Sequence, residues 1–244
     1  MESLVIHDGV PASGVVVVIP TFNEAESIAA VVAEIPRAMV CRVIVADGGS
    51  TDDTQARARR AGAEVIAVGR GYGLACLNGA RAALAGDIVV FMDGDGADDP
   101  AAIATLFAPI RAGTYDFVIA SRARGAREPG SMAWHQLFAG FLAGRLTKLL
   151  YGVRYTDMCA FRAIRRDTLL ALGMRDLSYG WNLEMQMRVA RAGLRVLEVP
   201  VAYRRRLGGQ SKVAGSLRGS VKAGVKIIST FARVAMEPAR GRAS

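Results

Sequence analysis

Apolar, mostly β-branched runs recur along the first half of the chain, separated by segments with helical spacing. The runs that predict strands are Gly14–Pro20, Arg42–Ala46, Ala63–Val68, Asp87–Met92 and Phe117–Ala120. Helices are predicted between them over Glu24–Ile35 with Asn23 as the N-cap, from about Thr51, within Gly71–Leu84 and over Pro100–Ile110. Strands that alternate with helices are typical of a mostly parallel sheet covered on both faces. The pattern therefore predicts an α/β fold.

The pattern changes after Arg127. Met132–Tyr151 predicts an apolar helix, and Thr156–Arg166 predicts a turn that leads into a helix ending at Leu172. A helix over Asn182–Ala192 and a strand over Leu194–Tyr203 follow. The last predicted helix, Val213–Met236, places an apolar stripe beside a basic one: Leu217, Val221, Val225, Ile228 and Phe231 beside Arg218, Lys222 and Lys226. Because the chain contains no internal repeat or low-complexity linker, we predict one domain, residues 1–212, and a C-terminal extension, residues 213–244.

Four polar turns follow predicted strands, and they converge in a parallel sheet. These turns are Pro20–Glu24, Asp47–Asp52, Asp93–Asp99 and Ser121–Arg127. Ligands of such sheets bind beyond the carboxyl ends of the strands. The sequence therefore predicts a ligand site where these four turns meet.

The third turn carries the most specific chemistry. In FMDGDGADDP, Asp93 and Asp95 follow a buried strand directly, and Asp98 and Asp99 come soon after. Two strand-end carboxylates suit Mg²⁺ or Mn²⁺ and leave coordination positions for diphosphate oxygens. An isolated Asp-x-Asp is also common in solvated acidic turns. The surrounding motifs must therefore distinguish a metal site from such a turn. We expect Asp99 to serve the helix that begins at Pro100, because helix N-termini favour acidic residues.

Charge and composition restrict the classes of binding partner and the cellular location that the sequence predicts. The net charge is +9, and ten basic residues against Glu237 lie between Val201 and Ser244, so the rest of the chain is neutral. Such a basic tail predicts contact with an anionic surface or with phosphate-bearing substrates. Nucleic acid is disfavoured, because no aromatic residues are interleaved with these charges. Three distant cysteines and an N-terminus without a signal-peptide pattern predict a cytoplasmic location.

Taken together, the motifs resemble glycosyltransferase family 2, and within it the polyprenyl-phosphate (dolichol-phosphate) sugar synthases. The matching stretches, in family order, are VVIPTFNEAESI, VIVADGGSTDDT, GYGLACLNGA, FMDGDGADDP, FVIASR, TDMCAFRAIRR, YGWNLEMQMRVARAGLRVLEVPVAY and RLGGQSK. The resemblance implies a GT-A fold and inverting, metal-dependent transfer of a hexose from a UDP- or GDP-linked donor.

The resemblance also implies roles for particular residues. The nucleotide pocket would be lined by Pro20, Asn23 and Glu24, with Asp47 near the base or ribose. Asp93 and Asp95 would hold Mg²⁺ or Mn²⁺ and the donor diphosphate. Phosphate groups would contact Arg122 and the loop that contains Arg206, Ser211 and Lys212. Two positions depart from the family pattern: Ala97 stands where a metal-binding Gln is common, so Asp98 or water would complete the metal shell, and Gly48 replaces an Asp.

The acceptor decides whether a base is needed. A polyprenyl phosphate, the acceptor that the resemblance favours, is already ionised, whereas a soluble hydroxyl acceptor requires a general base. Glu184 is the candidate base, and its alternative role is a helix carboxylate in an ion pair. We expect the basic C-terminal helix to bind the inner face of the membrane peripherally. A sugar nucleotidyltransferase is the alternative of another class, although Thr21–Glu24 lacks the glycine-rich, lysine-bearing loop that such enzymes need.

Overall fold

The centre of the protein is a seven-stranded sheet. The computed structural model describes residues 14–132, 134–208 and 228–237. The strands are β1 (Val15–Thr21), β2 (Arg42–Asp47), β3 (Glu64–Ala67), β4 (Ile88–Phe91), β5 (Phe117–Ser121), β6 (Arg162–Arg165) and β7 (Val196–Pro200). Their order across the sheet is β3-β2-β1-β4-β6-β5-β7. All seven residues of β1 are buried, as expected of a continuous apolar strand with neighbours on both edges and layers on both faces.

Helices cover the sheet and confirm the predicted α/β architecture. They are α1 (Ile28–Glu34), α2 (Thr54–Arg60), α3 (Tyr72–Ala82), α4 (Ile103–Arg111), α5 (Trp134–Tyr151), α6 (Arg166–Leu172) and α7 (Trp181–Arg191), with a 3-10 turn over Pro100–Ala102. The predicted cap of the first helix was wrong. The helix begins at Ile28 with Ser27 in the capping position, because residues 22–27 form turns against the neighbouring loop.

One strand was not predicted. The sequence predicted a turn over Thr156–Arg166, yet β6 forms within it and inserts between β4 and β5, antiparallel to both. The polar composition of β6 does not resemble a strand pattern. Its first residue, Arg162, is fully buried and donates hydrogen bonds to the backbone carbonyls of Ala160 and Asn182. A buried arginine in a four-residue strand breaks the apolar pattern on which strand prediction depends.

The direction of the strands brings the polar turns to one edge. β1 runs parallel to β2 and to β4. β5 is antiparallel to β6, as β4 is, so β4 and β5 point the same way. The carboxyl ends of β1, β2, β4 and β5 therefore lie at the same edge, as predicted.

The C-terminal extension contributes a docked helical segment, residues 228–236. Val234 is fully buried in a small apolar cluster with Ala143, Leu183 and Met187, whereas Ile228 is exposed. The remainder of the predicted helix, residues 213–227, lies outside the described residues. Across the described ranges, the helices are too short or too polar to cross a membrane.

Candidate active site

The turns after β1 and β2 form one unit. Asn23, in a left-handed conformation (φ 52°), accepts a hydrogen bond from the Thr51 backbone N–H (2.9 Å) through its Oδ1. Its own N–H donates to Ser50 Oγ (2.8 Å), and the Glu24 N–H donates to Thr54 Oγ1 (2.8 Å). Pro20 is the second-last residue of β1, next to this turn. The predicted nucleotide-pocket residues are thus side by side, and their backbone is clamped.

Asp47 shapes the second turn from inside. Its fully buried carboxylate accepts hydrogen bonds from the Gly49 and Ser50 N–H groups (3.1 and 2.9 Å), from Ser50 Oγ (2.5 Å) and from Gln55 Nε2 (2.7 Å). Nearby, Thr21 Oγ1 is buried and, among the described residues, has no hydrogen-bond partner. An unpaired buried hydroxyl is costly, so a ligand that reaches this edge would find a hydrogen-bonding group ready.

The acidic turn places Asp93 and Asp95 at the same edge. Asp93 Oδ1 accepts a hydrogen bond from the hydroxyl of Tyr72 (3.2 Å), and Tyr72 is the first residue of α3. Asp95 Oδ1 accepts from the Ala97 N–H (3.0 Å), and its Oδ2 pairs with Arg206 Nη2 at 3.1 Å. Arg206 is thus a cation in direct contact with Asp95.

Asp98 and Asp99 serve the turn itself. Asp98 is buried and accepts from the Asp93 N–H (3.1 Å), which holds the two ends of the turn together. Asp99 accepts from the Ala101 N–H (3.1 Å) at the start of the 3-10 turn. The predicted helix-start role of Asp99 is confirmed.

The carboxylates of the acidic turn are not fully neutralised by the arginines near them. Burial and the neighbouring Asp95 raise the pKa of Asp93 to about 6, and Arg122 and Arg206 oppose this rise. Burial and the charges of Asp93 and Asp95 raise the pKa of Asp98 to about 8. A cation bound among these carboxylates would reduce their mutual repulsion and favour their ionised form.

The donor set fits a hard divalent cation held jointly with a ligand. Within the described ranges, no group of three or more His, Cys, Asp or Glu side chains is arranged to hold a metal. The chain therefore offers Asp93 and Asp95 as oxygen ligands, and diphosphate oxygens and water would have to complete the shell. Mg²⁺ and Mn²⁺ accept such mixed oxygen coordination.

Arg122 lies at the end of β5, where Asp157 fixes it. Its Nε and Nη2 donate to the two carboxylate oxygens of Asp157 (both 2.8 Å), and its guanidinium lies 5.0 Å from the centre of the Tyr203 ring. Although burial opposes it, the hydrogen bonds and charge of Arg122 lower the pKa of Asp157. A bidentate, mostly buried pair of this kind holds the guanidinium in one orientation.

The segment that carries Arg206 runs across the acidic turn. Tyr203 forms an antiparallel bridge with Asp98, and the N–H groups of Arg204 and Leu207 donate to the carbonyls of Ala97 and Asp95 (both 2.9 Å). Gly96 has φ 79°, and a Cβ there would lie 2.6 Å from the Leu207 side chain, so a glycine is required. Ser211 and Lys212, predicted in the same loop, lie outside the described residues.

Glu184 lies inside a network of ion pairs. Its carboxylate is fully buried and accepts from Arg188 Nε (2.8 Å) and Arg233 Nη1 (2.9 Å). It also accepts from the Asp176 backbone N–H (2.6 Å). A base must be within reach of the proton that it removes, and these contacts occupy the carboxylate. The geometry favours the ion-pair alternative for Glu184.

Three residues of the site were not singled out in the sequence: Tyr72, Asp157 and Tyr203. Each lies in a stretch that carries the family resemblance: GYGLACLNGA, TDMCAFRAIRR or YGWNLEMQMRVARAGLRVLEVPVAY. The signal was therefore present as a motif, but the partners are distant in sequence. Asp157 lies 35 positions from Arg122, and Tyr203 lies 81 positions from it.

Comparison with known proteins identifies relatives for nearly the whole chain. The family model described as glycosyl transferase family 2 matches residues 16–173. An uncharacterised glycosyltransferase of Mycobacterium tuberculosis is 38% identical over 211 residues, which cover 85% of this chain and 93% of that protein. The undecaprenyl-phosphate mannosyltransferase of Micrococcus luteus is 32% identical over 223 residues, covering 84% of this chain and 89% of the relative.

Solved structures agree with this similarity. Glucosyl-3-phosphoglycerate synthase from Mycobacterium tuberculosis, in complex with Mn²⁺, uridine diphosphate and phosphoglyceric acid, superposes with a TM-score of 0.72. The match covers 94% of this chain and 81% of that one at 25% sequence identity.

Proposed function

Because the chain belongs to glycosyl transferase family 2, we propose that it moves a hexose from a UDP- or GDP-linked donor to a polyprenyl phosphate. The chain is a glycosyltransferase with the GT-A type of α/β fold. The observation that carries the finer proposal is the contact between Asp95 and Arg206 beside the anchored Arg122, since one edge then offers groups for a metal and for phosphate. The mannosyltransferase named above acts, by its name, on undecaprenyl phosphate.

In this proposal the first two turns bind the nucleotide. Pro20, Asn23 and Glu24 line the pocket, and Asp47 keeps the second turn in shape next to the base or ribose. The clamp between Asn23 and Thr51 supports this assignment, because a pre-organised pocket loses little entropy when a ligand binds.

The acidic turn binds the donor diphosphate. Asp93 and Asp95 would hold Mg²⁺ or Mn²⁺, which stabilises the charge on the departing nucleoside diphosphate. Arg206, Ser211 and Lys212 would contact the same phosphates. Support for Arg206 comes from its present position against Asp95, from which it can reach an anion bound there.

The acceptor phosphate would be oriented by Arg122. An ionised phosphate oxygen attacks the anomeric carbon directly, and a single displacement inverts the configuration at that carbon. No general base is needed, which agrees with the saturated contacts of Glu184. Positioning and electrostatic stabilisation then supply the rate enhancement.

A donor and acceptor panel tests the proposal. Purified protein would be incubated with Mn²⁺, with UDP-glucose, GDP-mannose or related donors, and with a polyprenyl phosphate in detergent, and sugar transfer to the lipid would be followed by chromatography. We expect lipid-linked sugar with one donor and none for Asp95→Asn. Transfer only to water-soluble hydroxyl acceptors would favour the alternative acceptor class, and release of pyrophosphate from a nucleoside triphosphate would contradict the proposal.

We propose in addition that the basic C-terminal extension binds anionic membrane surfaces. Six basic residues within the extension support this, since each basic residue near such a surface contributes about 1 kcal/mol; they are Arg218, Lys222, Lys226, Arg233, Arg240 and Arg242. Flotation with vesicles containing anionic lipid tests it. Replacing Arg218, Lys222 and Lys226 with Glu should abolish flotation; equal flotation of both proteins would count against the extension as the membrane contact.

A further inference from the structure

The loop between α6 and α7, residues 173–180, is hydrogen-bonded to two buried carboxylates, those of Glu184 and Asp176. Glu184 accepts the backbone N–H groups of Arg175 (3.1 Å) and Asp176 (2.6 Å). Asp176 turns its own carboxylate onto Ser178, accepting from the backbone N–H (2.9 Å) and from Oγ (2.8 Å). The conformation of the 173–180 loop therefore depends on the position of these carboxylates.

The C-terminal segment, residues 228–237, holds both carboxylates. Thr230 Oγ1 donates to Asp176 Oδ2 (2.8 Å), and Arg233 Nη1 donates to Glu184 Oε1 (2.9 Å). Glu237 pairs with Arg188 on α7 at 2.8 Å, and Val234 is fully buried. Buried ion pairs and hydrogen bonds of this kind fix geometry even where their net stabilisation is small.

The opposite side of the 173–180 loop packs against the first turn of α3. The Leu74 N–H donates to the Leu177 carbonyl (3.1 Å). A Cβ on Gly73 would lie 2.2 Å from the Asp176 carbonyl oxygen, which means that the two backbones are in direct contact. A shift of the loop must therefore move the start of α3.

Tyr72 begins α3 and reaches the acidic turn. Its hydroxyl donates to Asp93 Oδ1 at 3.2 Å. Trp181 at the start of α7 packs edge-on against Phe91, two residues before Asp93. α7 thus packs against the end of the strand that leads into the acidic turn, and its other side carries the C-terminal segment.

From these contacts we infer that Glu184 and the C-terminal segment 228–237 are positioning elements of the active site. They hold the 173–180 loop against α3 and so place the Tyr72 hydroxyl that orients Asp93. The inference rests on the proposed function, because the orientation of Asp93 affects catalysis only if the acidic turn binds metal and diphosphate.

The test measures Mn²⁺ affinity, with UDP or GDP present, by the electron paramagnetic resonance signal of free Mn²⁺. Thr230→Val keeps the side-chain volume and removes the bond to Asp176, and Arg233→Met removes the charge beside Glu184. Each change is made alone and together with Tyr72→Phe. The matched control is Arg195→Met, which removes another carboxylate-paired arginine, bound to Asp116 at the opposite edge of the sheet.

We expect Thr230→Val and Arg233→Met each to weaken Mn²⁺ binding roughly 3- to 30-fold, the range of energetic coupling through packed networks. In the Tyr72→Phe background the same changes should have little further effect, because the route to Asp93 is already cut. Arg195→Met should bind Mn²⁺ as the wild type does. A merely structural role would lower the melting temperature without this non-additivity.

Two results would overturn the inference while leaving the proposed function intact. One is wild-type affinity in both Thr230→Val and Arg233→Met, and the other is fully additive losses with Tyr72→Phe. If Arg233→Met proves unfolded in a thermal melt, Thr230→Val decides alone. If the wild-type protein fails to bind Mn²⁺ both with UDP and with GDP present, the metal site of the proposed function is refuted, and the inference with it.

Discussion

Arg206 occupies the place beside Asp95 that a divalent cation would need. Its removal should therefore raise the affinity of the nucleotide-free protein for Mn²⁺, even though the same residue is proposed to help bind the donor. Arg206 Nη2 lies 3.1 Å from Asp95 Oδ2, and the exposed fractions of the two side chains are 37% and 5%. Metal and guanidinium compete for one carboxylate.

The size of the effect follows from this distance. Two unit charges 3.1 Å apart attract by about 5 kcal/mol at an effective dielectric constant of about 20 and by about 1.3 kcal/mol in water. Because more than a third of Arg206 is exposed, solvent screening brings the value towards the lower figure. We take roughly 1–2 kcal/mol, which corresponds to a gain of about 5- to 30-fold in Mn²⁺ affinity.

The assay is a Mn²⁺ titration without nucleotide, followed by the paramagnetic resonance of free Mn²⁺. Arg206→Ala is compared with Arg204→Ala, a matched control in the same segment. Arg204 pairs with Glu34 (2.7 Å) and Asp99 (2.8 Å) and not with Asp95, so its loss should change Mn²⁺ affinity less than about twofold. With Mn²⁺ saturating, Arg206→Ala should instead weaken binding of UDP or GDP.

The opposite signs make the prediction easy to refute. An unchanged or weaker Mn²⁺ affinity in nucleotide-free Arg206→Ala would show that the guanidinium does not compete with the metal. An equal gain in Arg204→Ala would show that only the general positive charge matters. Either result would remove the reasoning that connects the 3.1 Å contact to metal binding.

Three further predictions concern stability. Asp157→Asn should lower the free energy of unfolding by about 3 kcal/mol at pH 7, since Arg122 loses its buried partner. In the wild type this contribution is fully present above the ordinary carboxyl pKa of 3.8 and is lost as pH falls through the lowered pKa of Asp157, so urea unfolding should show a smaller deficit of the variant at pH 3 than at pH 7. Gly73→Ala should cost about 1–3 kcal/mol in the same assay, because its Cβ would lie 2.2 Å from a backbone oxygen; wild-type stability would contradict the close packing. Glu184→Gln should lower the free energy of unfolding by about 3–5 kcal/mol, because two arginines lose their buried partner, and at saturating Mn²⁺ its turnover should fall only as far as the folded fraction does. Abolished turnover at full stability would instead restore Glu184 as the base.

The parts of the fold that the sequence predicted are those with a local signal. β1 and β4 are continuous apolar runs, and the acidic turn follows β4 directly, so strand, edge and metal-binding chemistry were all visible in one stretch. The antiparallel β6 had no such signal. Its Arg162 is stabilised by carbonyls that the fold brings together, which no local pattern records.

The same distinction applies to the site. The ion pair of Glu184 with Arg188 has helical i, i+4 spacing, which the sequence itself contains. Its second partner, Arg233, is 49 positions away and depends on how the C-terminal segment docks. Likewise, the Tyr72 hydroxyl reaches Asp93 only because α3 begins at the correct place in the fold.

The antiparallel insertion of β6 has a consequence for synthesis of the chain. β4 and β5 flank β6, so a nascent chain that ends after β5 has an unpaired strand edge on each side of a missing strand. β6 begins more than 40 residues after β5 ends, with α5 between them. Domains are made N-terminal part first, and pairings that are distant in sequence form slowly.

Strands β1 to β4, whose turns are proposed to bind the nucleotide, can therefore be synthesised before the other half of the sheet. Arg122 also emerges before Asp157, the carboxylate that later fixes it. The active site closes only when the chain segment entering β6 arrives. A stalled or truncated chain would expose the edge of β4 next to its acidic turn, which makes this strand edge the place to look for chaperone contact or misassembly.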